Sequence, residues 1–574
     1  MNNHTESVNT AQTWYRTFVW VAVVGGIFSL IVCALLISNY IQGKTEEPLE
    51  SAELTELRTM LRDQPNDGSL KEQIRVIDLR LREEYFQRHQ FSTYGAYLLI
   101  GGVAVFLIGI KSAFTFRKKL PMPQTETSEQ EEESRMTKMS RWAMGVFALL
   151  VVCGALLLMI FGSGVQYPTA SEEPVITYPT PEEIKQNWPQ FRGPGGLGIS
   201  AYTNVPTSWN GTTGEGVLWK TPVPLPGENS PIVWGDRVFL TGATEEAREI
   251  YCFDANSGEL LWQRAVENVP FSDPEPPEVA EETGYAAPTA VADGQRVYAI
   301  FANGDIVCFG FNGNRIWARN VGPFDNMYGH ASSLAMHENI LIVLLDQGGA
   351  DDGISEIIGI DAASGRTVWE TPRPVPNSWA SPIVINTGTR HEIITCGTPW
   401  VIAYDPIAGA ELWRAEGLSG DIGPSPVYGG GLVFATNSYA ILAAISPGGQ
   451  GNATETNIVW TAEDGLPDIC SPLTNGELVF LLETYGLMTC YDAQTGEMLW
   501  EEDLGEEFEA SPSLVRDQVY LMTMDGVTII FKADRQFEEI ARHELGEESN
   551  ASPAFLDGRI YIRGKENLYC ISSP

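Results

Sequence analysis

Apolar residues are spaced in two different ways along this chain. Up to about residue 162 they gather in three long runs, Phe18–Ile41, Tyr94–Ile110 and Trp142–Gly162, each nearly free of charge. A helix needs roughly 20 such residues to cross a bilayer, so the runs predict three transmembrane helices. The first is too long for a signal peptide and no small-residue cleavage site follows it. Between the first two runs, Leu54, Leu57 and Leu61 recur at helical spacing, as do Leu70, Ile74, Ile77 and Leu81 beyond Gln64–Ser69. That pattern predicts a helical hairpin over 42–93. Beyond residue 187 the apolar runs become short and are punctuated by Gly, Asp and Ser, which reads as strands and turns.

The strands come in a repeating unit. Its clearest copy is Tyr251–Ala265, an apolar strand, the turn Asp254-Ala-Asn-Ser-Gly258, then a strand carrying Trp262. The same words return at Asp361…Gly365…Trp369, Asp405…Gly409…Trp413 and Asp492…Gly496…Trp500, with weaker copies ending at Trp317, at Trp460 and, without a Trp, near Ile540. Copies lie roughly 40–55 residues apart, the length of a four-stranded propeller blade. In the turn, Asp bonds nearby backbone amides and Gly takes the left-handed conformation a tight corner needs. The Trp is large enough to fill the gap between blades. Cys252, Cys308, Cys490 and Cys570 share one slot of the unit with Gly359, Ala403 and Ala444, so that slot calls for a small apolar residue and the thiols read as buried and unpaired.

A second marker counts the units. Ser-Pro or a relative opens a first strand at Ser230-Pro231, Ala287-Pro288, Ser332-Ser333, Ser381-Pro382, Ser425-Pro426, Ser471-Pro472, Ser511-Pro512 and Ser552-Pro553. The last unit has only three strands, while Gly216–Pro222 reads as a Trp strand with no blade before it. The pattern therefore predicts an all-β, eight-bladed propeller closed by the strand of Trp219, since closure removes a free sheet edge. First-to-second and third-to-fourth turns are short and share one face. The longer connectors, including the acidic stretch Asn268–Ala286 and Asp346–Gly353, share the other, where a protein partner is expected to dock.

The predicted layout is a tail over 1–17, membrane helices over 18–41, 94–110 and 142–162, the hairpin over 42–93, a loop over 111–141, a linker over 163–187 and the propeller over 188–574. Lys111, Arg117, Lys118, Lys119, Arg135, Lys138 and Arg141 place the second loop in the cytoplasm, and the propeller then falls in the periplasm. Trp188–Ser200, the Gly-rich segment that opens the propeller, has no strand before it and no Lys-Ser/Thr after it, so it is expected to pack across one face rather than hold phosphate. At 574 residues with a formal charge of −38 and a pI near 4.4, the chain lacks the clustered cations a nucleic acid requires.

Catalytic constellations are scarce. The six histidines show no metal-binding spacing, and no Gly-x-Ser-x-Gly elbow occurs. His330, close to a first strand, reads as hydrogen-bonded structure. Asp346, Asp351 and Asp352 do not have EF-hand spacing and read as solvated acidity.

The repeats, the closing strand and the opening motif together resemble the pyrroloquinoline-quinone-like (PQQ-like) repeat propellers. Within them they resemble the outer-membrane-assembly scaffolds of the BamB kind, in a membrane-anchored form similar to that of planctomycete-like bacteria. The resemblance covers roughly residues 187–574. It implies a non-catalytic scaffold in the cell envelope, with no cofactor. Its alternative is the family's quinone- and calcium-dependent dehydrogenases, for which Asp346, Asp421 and Asp468 are the candidate acids. Many of those enzymes place a vicinal Cys-Cys pair against the quinone, and no two cysteines are adjacent in this chain.

Overall fold

The computed structural model describes residues 2–45, 95, 98–99, 101–103, 105–113 and 178–573 apart from 274, 323 and 324. The third apolar run, nearly all of the hairpin, most of the second loop and the first part of the linker lie outside the described residues. The chain divides into two units, 1–174 and 175–574.

In the first unit, one helix spans Asn2–Thr45. Within it Trp14–Cys33 is long and apolar enough to cross a membrane, with a mean hydropathy of 2.0. The described residues thus give one such helix rather than three, and the second run contributes a shorter apolar helix, Gly101–Ala113. Small residues bring the two together. A Cβ on Gly109 would stand 2.9 Å from the Ala22 nitrogen, and one on Gly25 3.1 Å from the Phe106 nitrogen. Ala22 and Ser29 are buried, whereas Trp20, Ile27, Leu30, Ile31, Leu107 and Ile108 are exposed.

The second unit is an eight-bladed propeller. Its blades run over Ile232–Ala265, Val291–Asn320, Ala335–Pro372, Ile383–Glu416, Val427–Ala462, Leu473–Asp503, Ser513–Glu544 and Ala554–Ser572, numbered 1 to 8 in that order. Each is a four-stranded antiparallel sheet whose two middle strands are almost wholly buried, which explains their continuous runs of Val, Ile and Leu. Val217–Pro222 pairs antiparallel with Asn567–Ser572, putting Trp219 opposite Cys570 and Thr221 opposite Leu568. The ring is sealed by the strand the sequence nominated.

The eight sheets are also joined at their inner edge by a closed circuit of hydrogen bonds. The amide of Ser230 donates to Thr289 Oγ1, Thr289 to Ser333 Oγ, and so through Ser381, Ser425, Ser471, Ser511 and Ser552, whose amide donates to Ser230 Oγ at 3.1 Å. This circuit corrects two of the sequence markers. In blade 2 the equivalent of Ser230 is Thr289 rather than Ala287, and in blade 3 it is Ser333 rather than Ser332. The position requires a hydroxyl that can accept the neighbouring amide, and the proline that often follows is secondary.

Two sheets carry a fifth strand. Ile199–Ser200 adds in parallel to the inner strand of blade 7, and Gly451–Asn452 adds in parallel to the outer strand of blade 4.

Candidate functional site: two faces and a channel

The tryptophans act at the seams between blades. In each outer strand the Trp lies directly across from the small-residue slot, as Trp262 does from Cys252, Trp317 from Cys308, Trp369 from Gly359 and Trp500 from Cys490. A larger residue in that slot would displace the ring, which accounts for the Cys, Gly and Ala found there. The indole then reaches into the next blade. Trp219 Nε1 donates to the Ala255 carbonyl at 3.1 Å, Trp317 to Ala362 at 2.9 Å, Trp369 to Pro406 at 3.2 Å and Trp460 to Ala493 at 3.0 Å. Trp262 and Trp500 do the same with Phe311 and Asp534.

Except for Trp500, which meets Phe537 in a turn without glycine, the ring of each of these indoles lies on the glycine of the following turn. A Cβ on Gly258 would meet Trp219 at 2.6 Å, and Gly365, Gly409 and Gly496 stand in the same relation to Trp317, Trp369 and Trp460. These glycines have φ near +70°, so the turn and the close approach both exclude a side chain. Across each turn the Asp carboxylate ties down the backbone. Asp492 Oδ1 accepts from the amides of Gln494 and Thr495, and the Arg535 guanidinium beside the carboxylate helps hold its pKa down to about 2.

Two seams depart from the rule. Trp413 faces blade 5, whose third-to-fourth connection is the insertion 446–457 instead of an Asp–Gly turn, and its Nε1 bonds Glu392 Oε2 at 2.7 Å within its own blade. In blade 7 the register puts Ala541 in the Trp position. Blade 8 has no third-to-fourth turn to receive an indole, because its outer strand comes from elsewhere in the chain. Trp209 of the N-terminal segment packs at this seam instead, its ring centroid 4.6 Å from that of His543.

The short-turn face is crossed by Trp188–Ser200. Trp188 and Val233 of blade 1 exchange backbone hydrogen bonds, Pro189 accepts from Ala292 of blade 2, and Gly198 accepts from Leu514 of blade 7. Arg192 Nη2 reaches the Pro472 carbonyl of blade 6 at 2.7 Å. Blades 2 and 6 are opposite one another in a ring of eight, so the segment spans the channel, as its glycine-rich sequence suggested.

The long-loop face is built differently. Its connectors expose large apolar side chains, Phe271 at 95%, Tyr439 at 94% and Tyr485 at 76%, together with Met327, Ile354 and Ile469. Phe271 and Tyr439 both sit at φ 64°, a left-handed conformation that costs a bulky residue about 1 kcal/mol or more. Around them stand exposed carboxylates such as Glu278, Glu281, Asp351, Asp464, Glu507 and Glu548. Near the mouth of the channel, burial pushes the Glu509 carboxyl up, and Glu228, Glu282 and Asp468 add to the shift. Lys565, one of the few cations there, is paired with Glu228 at 3.0 Å.

The candidate acids do not converge. Asp346 is buried, with Oδ1 held by Arg373 Nε at 2.6 Å and Oδ2 by Arg373 Nη2 at 3.0 Å and Ser378 Oγ at 2.6 Å. Burial opposes the charge on Arg373, but Asp346 and Tyr404 outweigh it and hold the guanidinium above its ordinary pKa. Asp352 Oδ2 accepts from the Gly349 amide, Asp351 is exposed, and Asp468 accepts from Thr484. Asp421 is exposed, with its backbone carbonyl bonded by Asn437. Among the described residues no group of three or more His, Cys, Asp or Glu could hold a metal ion. Asp346 is thus engaged by Arg373 and Ser378 rather than open to a cation. His330 is fully buried with Nε2 on the Leu344 carbonyl at 3.0 Å, and burial lowers its pKa to about 4. The seven described cysteines are all unpaired.

Three features escaped the sequence. The buried Arg373–Asp346 pair joins residues 27 apart at the two long-loop ends of blade 3, and nothing local signals it. The Trp413–Glu392 bond follows from an insertion in the next blade. Arg192 sat inside a motif read for its glycines alone.

Blades, seams and closure define the molecule as an eight-bladed propeller of the PQQ-like repeat class. Comparison with known proteins agrees and narrows it. The family described as outer membrane protein assembly factor BamB matches residues 195–330, 353–469 and 449–571, and the chain belongs to that family. Among curated relatives it is 36% identical over 86 residues to outer membrane protein assembly factor BamB of Alkalilimnicola ehrlichii, covering 14% of this chain and 22% of that protein. It is 28% identical over 130 residues to the protein of that name from Moranella endobia, covering 22% and 29%. The matches thus span less than a third of either relative. Among solved structures, a quinohemoprotein alcohol dehydrogenase from Pseudomonas putida HK5 superposes with a TM-score of 0.51 at 13% identity, covering 68% of this chain and 80% of that one, a likeness of fold. BamB from Moraxella catarrhalis gives a TM-score of 0.47 at 16% identity, covering 62% and 99%.

Proposed function

We propose that the protein is a membrane-anchored scaffold of the cell envelope, whose propeller holds a protein partner on its long-loop face and performs no chemistry of its own. The observation that carries this reading is the pair Phe271 and Tyr439. Each is an aromatic side chain almost wholly in solvent on a strained backbone, where Gly or Asn would be cheaper for the fold. Such residues are explained by what they touch in a complex, since aromatic anchors dominate binding energy at interfaces. The surrounding carboxylates favour a partner segment in which Lys or Arg alternates with apolar residues. Membership of the BamB family supports a scaffold in general terms.

The anchor is supported by the N-terminal helix pair, which buries its small residues and exposes its large apolar ones. That arrangement reverses what water would select and matches helix packing in lipid. In this reading Trp142–Gly162 is the third crossing, the N-terminus and the second loop are cytoplasmic, and the propeller lies in the periplasm.

The test is photo-crosslinking in intact cells from a probe placed at position 271 or 439, with a probe at position 407 on the short-turn face as control. Crosslinks to a discrete protein from the first two positions alone are expected. Equal labelling from all three sites, or none, would overturn the docking surface. Protease digestion of the propeller in spheroplasts but not in intact cells tests its compartment.

A further inference from the structure

Two histidines that stand far apart in the sequence meet on the short-turn face. His337 ends the first strand of blade 3, and His391 opens the second strand of blade 4. Their ring centroids are 4.6 Å apart, with the planes inclined at 46°. His391 is exposed and His337 half-buried, so the pair lies at the surface. Among the described residues neither ring makes a hydrogen bond, unlike His330 on the Leu344 carbonyl and His543 on the Thr207 carbonyl. Burial and the proximity of His391 lower the pKa of His337, which leaves its ring neutral with a lone pair to give.

Two imidazoles in this relation have the shape of a chelate. A metal–nitrogen bond of about 2.1 Å puts the metal roughly 3.2 Å from the centroid of the ring that binds it. Rings so held, with centroids 4.6 Å apart, subtend about 90° at the metal. Tetrahedral coordination would spread the centroids to about 5.2 Å, so the spacing suits a tetragonal ion, Cu(II) or Ni(II), better than Zn(II). The local field favours a cation too. The carboxylates of Glu338 and Asp405 stand close enough to oppose the downward shift of the His337 pKa. Asp405 belongs to the third-to-fourth turn of blade 4, where its Oδ1 accepts from the amides of Ile407 and Ala408.

We propose that His337 and His391 form a site for one divalent transition-metal ion, Cu(II) above all, which clips blade 3 to blade 4. Imidazole ligands bind Cu(II) more tightly than Ni(II) or Zn(II) and have little attraction for Mg(II) or Ca(II). Among the described residues no third His, Cys, Asp or Glu is placed to bind, so water completes the coordination. The site lies on the face opposite the docking surface and does not depend on that reading.

The experiment titrates Cu(II), Ni(II), Mg(II) and Ca(II) separately into the full chain in neutral detergent, without chelator or reductant. The wild type is expected to bind one more equivalent of Cu(II) than His391→Asn does. That equivalent should show two nitrogen ligands in the electron paramagnetic resonance difference spectrum. Tm should rise by a few degrees with Cu(II), less with Ni(II), and reach a plateau, as for a ligand that binds only the folded state. Mg(II) and Ca(II) should leave it unchanged. His391 is exposed, so H391N should keep the metal-free Tm. Losing one of two ligands should weaken binding at this site by more than about tenfold, the least that removing even a ligand's hydrogen-bond partner costs. His337→Gln should act alike. Mg(II) raising Tm as much as Cu(II) would assign the effect to the protein's acidity and overturn the site. Equal Cu(II) stoichiometry and affinity in wild type and H391N, or a difference spectrum with fewer than two nitrogens, would overturn it as well. Should H337Q fail to fold, H391N and the wild-type spectrum still decide it.

Discussion

The two faces of the propeller use the same residue types for opposite purposes. On the short-turn face an aromatic ring is a structural part. It lies on a glycine of the next blade, donates its N–H to a carbonyl there, and is buried or nearly so. On the long-loop face Phe271 and Tyr439 are held in solvent at a positive φ, and Tyr485 stands exposed on the same face. Charge divides in the same way. Acids of the short turns are tied to backbone amides and to cations such as Arg535 and Lys532, whereas on the long connectors Glu278, Glu281, Asp351 and Glu548 stand exposed. One face holds the ring together, and the other is free to vary and to bind. The division follows from the antiparallel blade, in which tight turns must recur on one side and irregular connectors collect on the other.

The seam contacts should carry the largest effects. Replacing Trp219 by Ala removes a ring packed on Gly258 and Tyr561 and its hydrogen bond to blade 1, at the point where the circle closes. The expected loss is about 3–5 kcal/mol, measured by denaturant unfolding of the full chain. Ala541→Trp sharpens the comparison, because it restores the repeat consensus at the seam where blade 8 offers no turn. No gain in stability is expected. A gain of more than about 1 kcal/mol would show that the indole stabilises by area alone and that the docking turn is dispensable.

How much of this was legible in the sequence depends on whether a feature is local. Fold, blade number and closure could be read because each rests on a short motif repeated in register, and Trp219 stood out as a fourth strand without a blade. The small-residue slot was legible for the same reason, and the structure supplies its cause, the tryptophan directly opposite. What repetition could not reveal was an exception whose reason lies in a neighbour. Ala541 looks like decay of the motif until blade 8 is seen to lack its turn, and Trp413 looks regular although its partner is Glu392. The reach of Arg192 was illegible because it meets Pro472 only through a separation of 280 residues.

Beneath the long-loop face, His330 should make stability depend on pH. Its pKa is lowered to about 4 by burial, so the unfolded chain, with an ordinary value near 6.5, takes up the proton first. The folded state therefore loses stability as pH falls from about 6.5 to about 4 and regains it as pH rises, by up to about 3 kcal/mol. His330→Gln keeps a donor for the Leu344 carbonyl and removes the titration. Unfolding free energies of the variant should vary less with pH across that window. Equal slopes for the two proteins would mean that His330 is protonated in the fold.

The smallest effect on stability is expected from the most conspicuous side chains. Tyr439→Asn with Tyr485→Ser removes two exposed rings, and Asn tolerates the left-handed backbone at 439 better than Tyr does. Exposed groups of this kind contribute within about 0.5 kcal/mol, so Tm should be unchanged or slightly raised. Binding is where the loss should appear, as a drop of tenfold or more in partner captured from detergent extracts, since each anchor removed from an interface centre costs on the order of 2 kcal/mol. The same chemical change, an aromatic ring deleted, would then cost stability on one face and association on the other. If the double variant melted as early as Trp219→Ala, these rings would belong to the core of the propeller. If it melted normally and held its partner as tightly as the wild type, the apolar residues of the long connectors would have no part in docking, and the acidic rim alone would have to account for it.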